Sequence, residues 1–238
     1  MFKTNTTSGN ERGGDIMKKG ILLTIVALFA LGAAAVATPV ATTIYSSTDY
    51  LYNFVAAPVV PFDPAPASVF KKDNGSPINL DAGRLYRWDA AGQGFLVYSD
   101  DPDAFGGILL GDGYWLGADE PNNFIWQYDG APDGLPDSGN NMTDMWISLP
   151  SPDFTMFGHP FNHPVPLANC LVTDGTQTVS FAQAAANGWV DGWVWGWDAE
   201  GQGWVQVTPN DPDFPNLEPF HGYQIQTYVE NLALIIPA

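Results

Sequence analysis

The stretch WVWGWDAEGQGWV, residues 193–205, sets tryptophans at 193, 195, 197 and 204. Indoles at this density serve one of two ends. Exposed, they stack on the apolar face of a sugar or another flat ligand and offer an N–H to an acceptor; buried, they fill the interior of a sheet. Trp193, Trp189 and Trp115 are the candidate stacking surfaces, with nearby Asp or Asn as hydrogen-bond partners. The ligand they imply is an extracellular polysaccharide.

Carboxylates are the second chemical resource. Asp129-Gly-Ala-Pro-Asp133-Gly-Leu-Pro-Asp137-Ser-Gly-Asn140 has acids at its first, fifth and ninth places and Gly at its sixth, the rhythm of a calcium loop. It departs from that pattern with Ala131 at the third place and Asn140 where a bidentate Glu would stand. Two Asp-Pro-Asp turns, with Asp101 and Asp103 in one and Asp211 and Asp213 in the other, are a further place for calcium. Their competing reading is a solvated turn that Asp starts and Pro fixes in φ. A glycosidase acid pair would need carboxyl groups about 5 Å or 6.5 to 9.5 Å apart around a cleft, a distance that spacing along the chain does not supply.

His159 and His163 stand four apart, but Pro160 and Pro164 forbid the helix that would converge them on a metal. In an extended strand their rings would lie about 13 Å apart, so turn or surface histidines are expected. Cys170, the one cysteine, sits among Ala, Leu and Val and reads as a small buried hydrophobe unable to form an intrachain disulfide. There is no Gly-rich phosphate loop before a helix, no nucleophile elbow and no paired-cysteine metal motif. A non-enzymatic protein is the expectation, and calcium is the only cofactor the sequence suggests.

The elements that must position these residues come in two copies. An offset of 109 brings Trp88-Asp89-Ala90 onto Trp197-Asp198-Ala199, Gly92-Gln93-Gly94 onto Gly201-Gln202-Gly203, and Gly113-Tyr114 onto Gly222-Tyr223. One inserted residue then aligns Asp101-Pro102-Asp103 with Asp211-Pro212-Asp213. The reading is a tandem pair, residues 38–127 and 145–238, joined by an Asp/Gly/Pro-rich linker at 128–144. Short aromatic runs around DAAGQG and DAEGQG predict a β-hairpin in each copy. One short helix is expected, in VSFAQAAANGW, where Ser180 and Gln183 have capping-box spacing and Gly188 stands as a stop. The fold class is therefore all-β, two small sandwich or barrel-like units.

Alternation puts Trp193, Trp195 and Trp197 on one face of their strand. Their counterparts in the first copy are Arg84, Tyr86 and Trp88, so two of the three positions stay aromatic. That predicts Trp195 and Trp197 as core, with Phe95 and Trp204 packing beside them, and leaves Trp193 as the exposed indole.

Residues 1–37 read as a leader. Lys18 and Lys19 precede the apolar run from Ile21 to Ala37, and Ala35 and Ala37 form an A-x-A site. The competing reading is an uncleaved anchor, since about 17 apolar residues just suffice to cross a bilayer. Beyond the leader the only fixed positive charges are Lys71, Lys72, Arg84 and Arg87, in a chain of net charge −18. Phosphate-backbone binding to nucleic acid and attraction to an anionic membrane surface are both disfavoured.

Ser148-Leu149-Pro150, the hairpin from Tyr86 to Phe95, and Gly111-Asp112-Gly113-Tyr114-Trp115 resemble the "slP" strand, "yrWD…gqgf" hairpin and "G-x-GYW" ending of modules in secreted bacterial envelope proteins. The second copy replaces the last motif with His221-Gly222-Tyr223-Gln224. The resemblance extends over most of residues 50–237. It implies a compact β-rich extracellular module and carries no catalytic residue across. Two functions are expected from all this. The first is a secreted or surface-attached structural or interaction component of the cell envelope, self-assembling as a filament subunit would. Its strand addition would use NLALIIP or TTIYSSTDYLYNF. The alternative is a carbohydrate-binding module.

Overall fold

The computed structural model describes residues 38–131 and 143–238. In the first half, β1 (Thr38–Ile44), β2 (Leu51–Ala56), β3 (Val60–Pro61), β4 (Leu85–Asp89), β5 (Gly94–Val97), β6 (Gly113–Ala118) and β7 (Phe124–Ala131) form two antiparallel sheets, ordered β1-β7-β3 and β2-β6-β4-β5. In the second, β8 (Met145–Leu149), β9 (Phe154–Gly158), β10 (Val165–Pro166), β11 (Leu171–Thr173), β12 (Thr178–Ser180), β13 (Val194–Asp198), β14 (Gly203–Val207), β15 (Asn216–Leu217), β16 (Gly222–Gln226) and β17 (Leu232–Ile236) form three. Their orders are β12-β11-β17-β8, β14-β13-β16-β9 and the short pair β10-β15. The fold is all-β, and none of the five sheets closes into a barrel. Place by place, β9, β16, β13 and β14 stand as β2, β6, β4 and β5 do.

Each half buries the inner faces of its two largest sheets against each other. The first core gathers Val40 and Ile44 from β1, Leu85 from β4, Tyr114 and Leu116 from β6, and Trp126 and Tyr128 from β7. The second gathers Phe157, Val194, Val207 and Tyr223 on one side and Leu149, Val172, Leu232, Leu234 and Ile236 on the other. The alternation of Leu232, Leu234 and Ile236 is the period-two signature of a strand facing a core. The GY motifs recur as one device: the buried phenol oxygen of Tyr114 accepts from the Leu109 N–H (2.8 Å), and that of Tyr223 from the Glu218 N–H (2.6 Å).

The hairpin loops, residues 90–93 and 199–202, are closed by their own side chains. The Asp89 carboxylate accepts from the Ala91 N–H, and Asp198 accepts from Glu200 and Gly201. Gln93 and Gln202 both take left-handed backbone, φ 49° and 51°.

The expected helix forms as Phe181–Ala186, with Ser180 Oγ accepting from the Gln183 N–H. Two one-turn helices lie in the first half where none was expected. They are α1 (Pro66–Val69) and α2 (Pro102–Phe105), which makes the Phe181–Ala186 helix α3. Each of the two opens on proline, whose fixed φ suits the first helical position. Part of the expected linker is strand: Tyr128–Ala131 ends β7, and the Tyr128 hydroxyl donates to the Val59 carbonyl. Both runs proposed for strand addition are paired inside the chain. NLALIIP supplies β17, which lies between β11 and β8, while the early run supplies β1 against β7 and β2 against β6.

The two halves meet reciprocally. The Ala56 N–H donates to the Phe220 carbonyl (2.8 Å), and at the corresponding places the Gly158 N–H donates to the Gly111 carbonyl (2.7 Å). Gln202 Nε2 donates to the Tyr52 carbonyl (2.9 Å), and Gln93 Nε2 to the carbonyl of Phe154 (3.4 Å), the residue that holds in β9 the place of Tyr52 in β2. Residue i touching j while the counterpart of j touches the counterpart of i is the pattern of a two-fold interface. Its centre demands small residues. A Cβ on Gly158 would run into the Asp112 carbonyl and the Ala56 side chain, and one on Gly222 into the Phe54 ring.

Gly158→Ala therefore costs at least the 1 to 3 kcal/mol typical of an overpacked interior, because the first obstacle is backbone. Gly192→Ala, where a Cβ meets nothing within 4 Å, leaves stability unchanged. Thermal unfolding of the two variants checks the difference.

Candidate functional site

The aromatic stripe faces away from the core. On β13 it is Val194 and Gly196 that are buried, while Trp195 and Trp197 are half-buried on the opposite face. The expectation that this pair fills the interior is thereby corrected. The physical reason lies in the neighbouring strand. Tyr223 of β16 fills the space over Gly196, where a Cβ would lie 3.3 Å from the ring, and Ile225, Val194 and Val207 complete that surface. An aliphatic and a glycine next to a large ring make as good a core as indoles do, so residue size alone did not identify the inner face.

Registry then assembles the outer face. Trp195 lies opposite Gln206 of β14 and Gln224 of β16, and Gln224 lies opposite Met156 of β9. Trp197 lies opposite Trp204, and Gln226 opposite Phe154. Phe154, Trp195, Trp204 and Gln224 line an open cleft of about 260 Å³. Trp204 is 45 % exposed. Rings offering apolar surface, with a few amides beside them to fix orientation, are the lining expected of a small-molecule site.

Both walls of the cleft are held by the first half. Gln93 bonds the Phe154 carbonyl, and Trp204 packs edge-on to Trp115 (5.6 Å) and Trp197 (5.3 Å). The indole N–H of Trp197 donates to the Tyr52 carbonyl at 2.9 Å. The rings meet at steep angles, 82° between Trp197 and Trp204 and 89° between Trp115 and Trp204, so they form a corner instead of a flat platform.

The residues expected to stack fall differently. Trp115 is 8 % exposed, stacked on Phe54 at 4.5 Å, and serves the contact between halves. Trp189 packs against the second core beside α3. Trp193 is half-buried, edge-on to Trp195, with its Nε1 enclosed and without a partner. Trp204, Phe154 and Gln224 were not singled out as binding residues. A signal for them existed: with Tyr223 and Ile225 inward, YQIQ must turn Gln224 and Gln226 outward, toward whatever its neighbour strand presents.

Of the acidic candidates, Asp101 and Asp211 serve local turns. Asp101 caps α2 by accepting from the Ala104 N–H, and Asp103 lies in the first turn of that helix. Asp211 accepts from the Asp213 and Phe214 N–H groups, which hold its carboxyl below the usual range. Asp129 is exposed within β7, and Asp133, Asp137 and Asn140 lie outside the described residues. Among the described residues no group of three or more His, Cys, Asp or Glu side chains is placed to hold a metal ion. The Cys170 thiol is fully buried, and desolvation pushes it up to about 12, so it carries no thiolate near neutrality.

A second cavity, about 300 Å³, lies where the halves adjoin and is lined by Tyr45, Asn53, Trp197, Asp198 and His221 among others. Its central polar groups are already engaged. The Asn53 amide exchanges two bonds with the Tyr45 backbone, and Asp198 Oδ1 closes its own loop.

Among the described residues fixed positive charge is confined to the first half, and most of it is paired: Lys72 with Glu120 (2.6 Å), Arg87 with Asp112 (3.4 Å) and Arg84 with Asp119. No Lys or Arg follows Arg87, so the strands that line the cleft contribute none. No protein-family model, characterised protein or solved structure matches the chain.

His163 is exposed, but His159 is fully buried, against the expectation of turn or surface histidines. Its Nε2 lies 2.7 Å from the His163 carbonyl, and its Nδ1 is enclosed without a partner. Desolvation lowers its pKa to about 4; the bond to the His163 carbonyl opposes this, and the charges of His163 and His221 reinforce it. The unfolded chain takes up that proton near 6.5, whereas the native chain resists it until about 4. Stability is thus complete above pH 6.5 and falls as the pH drops toward 4, by up to about 3 kcal/mol for this group. In chemical denaturation between pH 7 and 4.5, His159→Gln flattens that slope.

Proposed function

We propose that the chain is a non-enzymatic binding protein, acting outside the cytoplasm, that takes a neutral polysaccharide on the outer aromatic face of its second four-stranded sheet. The observation that carries this reading is the outward turn of the indole stripe. Trp195 and Trp204 stand at the surface with Gln224 and Gln206 alongside. An indole face excludes water from the C–H side of a pyranose ring, and amides bond to its hydroxyls as both donor and acceptor.

Charge supports a neutral ligand. A chain of net charge −18 with no cation in the strands around the cleft repels acidic polymers and nucleic acids. The leader-like residues 1–37 support a site of action beyond the cytoplasmic membrane, where such polymers occur. The matching strand order of the two halves supports the tandem reading of the sequence. The structural reading of the chain keeps one specific support of its own, the packing of Trp115, Trp197 and Trp204 into the contact between halves. That packing explains part of the aromatic content but not the exposed faces of Trp204 and Phe154.

Tryptophan emission is the direct test. It shifts on addition of the cognate neutral polysaccharide, and Trp204→Ala weakens binding in the second-half cleft about tenfold or more, a loss near 1.4 kcal/mol, while the near-ultraviolet dichroism of the core stays native. Absence of any shift or retention across cellulose, xylan, mannan and chitin overturns the reading.

A further inference from the structure

The two-fold relation between the halves gives each residue of the second-half cleft a counterpart in the first. Tyr52 stands for Phe154, Tyr86 for Trp195, Phe95 for Trp204 and Trp115 for Gln224. Exposure follows the same correspondence. Tyr52 and Phe154 are each 39 % exposed, and Phe95 is 46 % exposed beside the 45 % of Trp204. The ring geometry agrees as well, since Trp88 and Phe95 meet edge-on at 5.0 Å and 74°, as Trp197 and Trp204 do at 5.3 Å and 82°. Matched exposure of large rings at matched places is not required by packing, because the partners differ: Trp115 is buried under Tyr52 and Phe54, where the second half has a half-exposed glutamine.

We propose that Tyr52, Tyr86 and Phe95 form a second polysaccharide site, so that one chain carries two related sites and binds glycan polymers bivalently. This rests on the reading of the second-half cleft given above. The polar contribution comes from different groups in the two sites. Trp115 takes the place of Gln224, and the phenol hydroxyls of Tyr52 and Tyr86 are the polar groups offered in its stead; phenol and amide both donate and accept. Two sites of different lining on one chain accept the same class of ring while preferring different substitution on it. The occupant is a neutral polymer and not a second copy of the chain, because two bodies of charge −18 repel each other and a neutral glycan does not. Linking two weak sites raises the effective concentration of the second once the first is filled, so retention on a polymer exceeds the affinity for a short oligosaccharide.

The full chain, Phe95→Ala, Trp204→Ala and the double variant are to be compared by retention on insoluble cellulose, xylan, mannan and chitin. Calorimetric titration follows with the soluble oligosaccharide of whichever polymer retains the full chain. Expected are two oligosaccharides per chain, one for either single variant and none for the double, with a drop of about tenfold or more in polymer retention for each single variant. Phe95→Gln, which keeps side-chain bulk at this exposed place, reproduces the Phe95→Ala result if loss of the ring face is the cause. One oligosaccharide per chain, unaffected by Phe95→Ala and abolished by Trp204→Ala, overturns the second site and leaves the first standing. No retention on any of the polymers overturns both.

Discussion

Everything the surface offers depends on how closely two backbones approach between the halves. Gly158 lies against Asp112 and Ala56, and Gly222 gives up its side-chain volume to the ring of Phe54. Because these positions are bare, the two four-stranded sheets come into direct contact. The contact buries Trp115 and Phe54. Trp204, Phe154, Phe95 and Tyr52 keep part of their surface in contact with solvent. A bulkier centre would hold the sheets apart, wet the buried pair and dissolve the corner that Trp115, Trp197 and Trp204 make.

The duplicated Gly-Gln-Gly of the hairpins acquires a meaning from that contact. The glutamine of each hairpin sits in left-handed backbone and extends its amide to a main-chain carbonyl of the other half. The Gln202 amide also accepts from the Tyr52 N–H at 2.9 Å, so it satisfies both polar groups of one residue on the exposed edge of β2. An edge strand with unpaired backbone invites unwanted partners. Side-chain amides occupying that edge protect it and fix the walls of the cleft with the same bonds.

Much of the fold was legible because it rests on local signals. The two hairpins, the helix capped by Ser180 and the all-β class follow from period-two runs, turn residues and a capping box. The one-turn helices at Pro66 and Pro102 escaped because four residues carry no periodicity, and the Asp-Pro-Asp that starts one of them reads equally as a turn. The site was half legible. Alternation correctly grouped Trp193, Trp195 and Trp197 on one face, but which face is inward depends on Tyr223, some thirty residues on, and on Gly196 leaving room for it. Aromatic content points to a core only when nothing else can fill it. Here Val194, Val207, Tyr223 and Ile225 already do so.

One pair of positions breaks the likeness of the halves. Gly111 and Phe220 occupy corresponding places, and both take left-handed backbone, φ 85° and 67°. Glycine adopts that conformation freely, whereas phenylalanine does so against a steric penalty. What offsets the penalty is the destination of its ring, which enters the first core edge-on to Trp126 at 5.6 Å. Gly111 in turn lies under the side-chain ends of Met145 and Ile147, which would have to shift to admit a Cβ. The interior of the leading module is therefore finished by an atom group that belongs to the trailing one, and the debt is not returned in kind. Neither module can stand in for the other, and a body made of two leading modules would be hollow at its middle where one made of two trailing modules would be overfull.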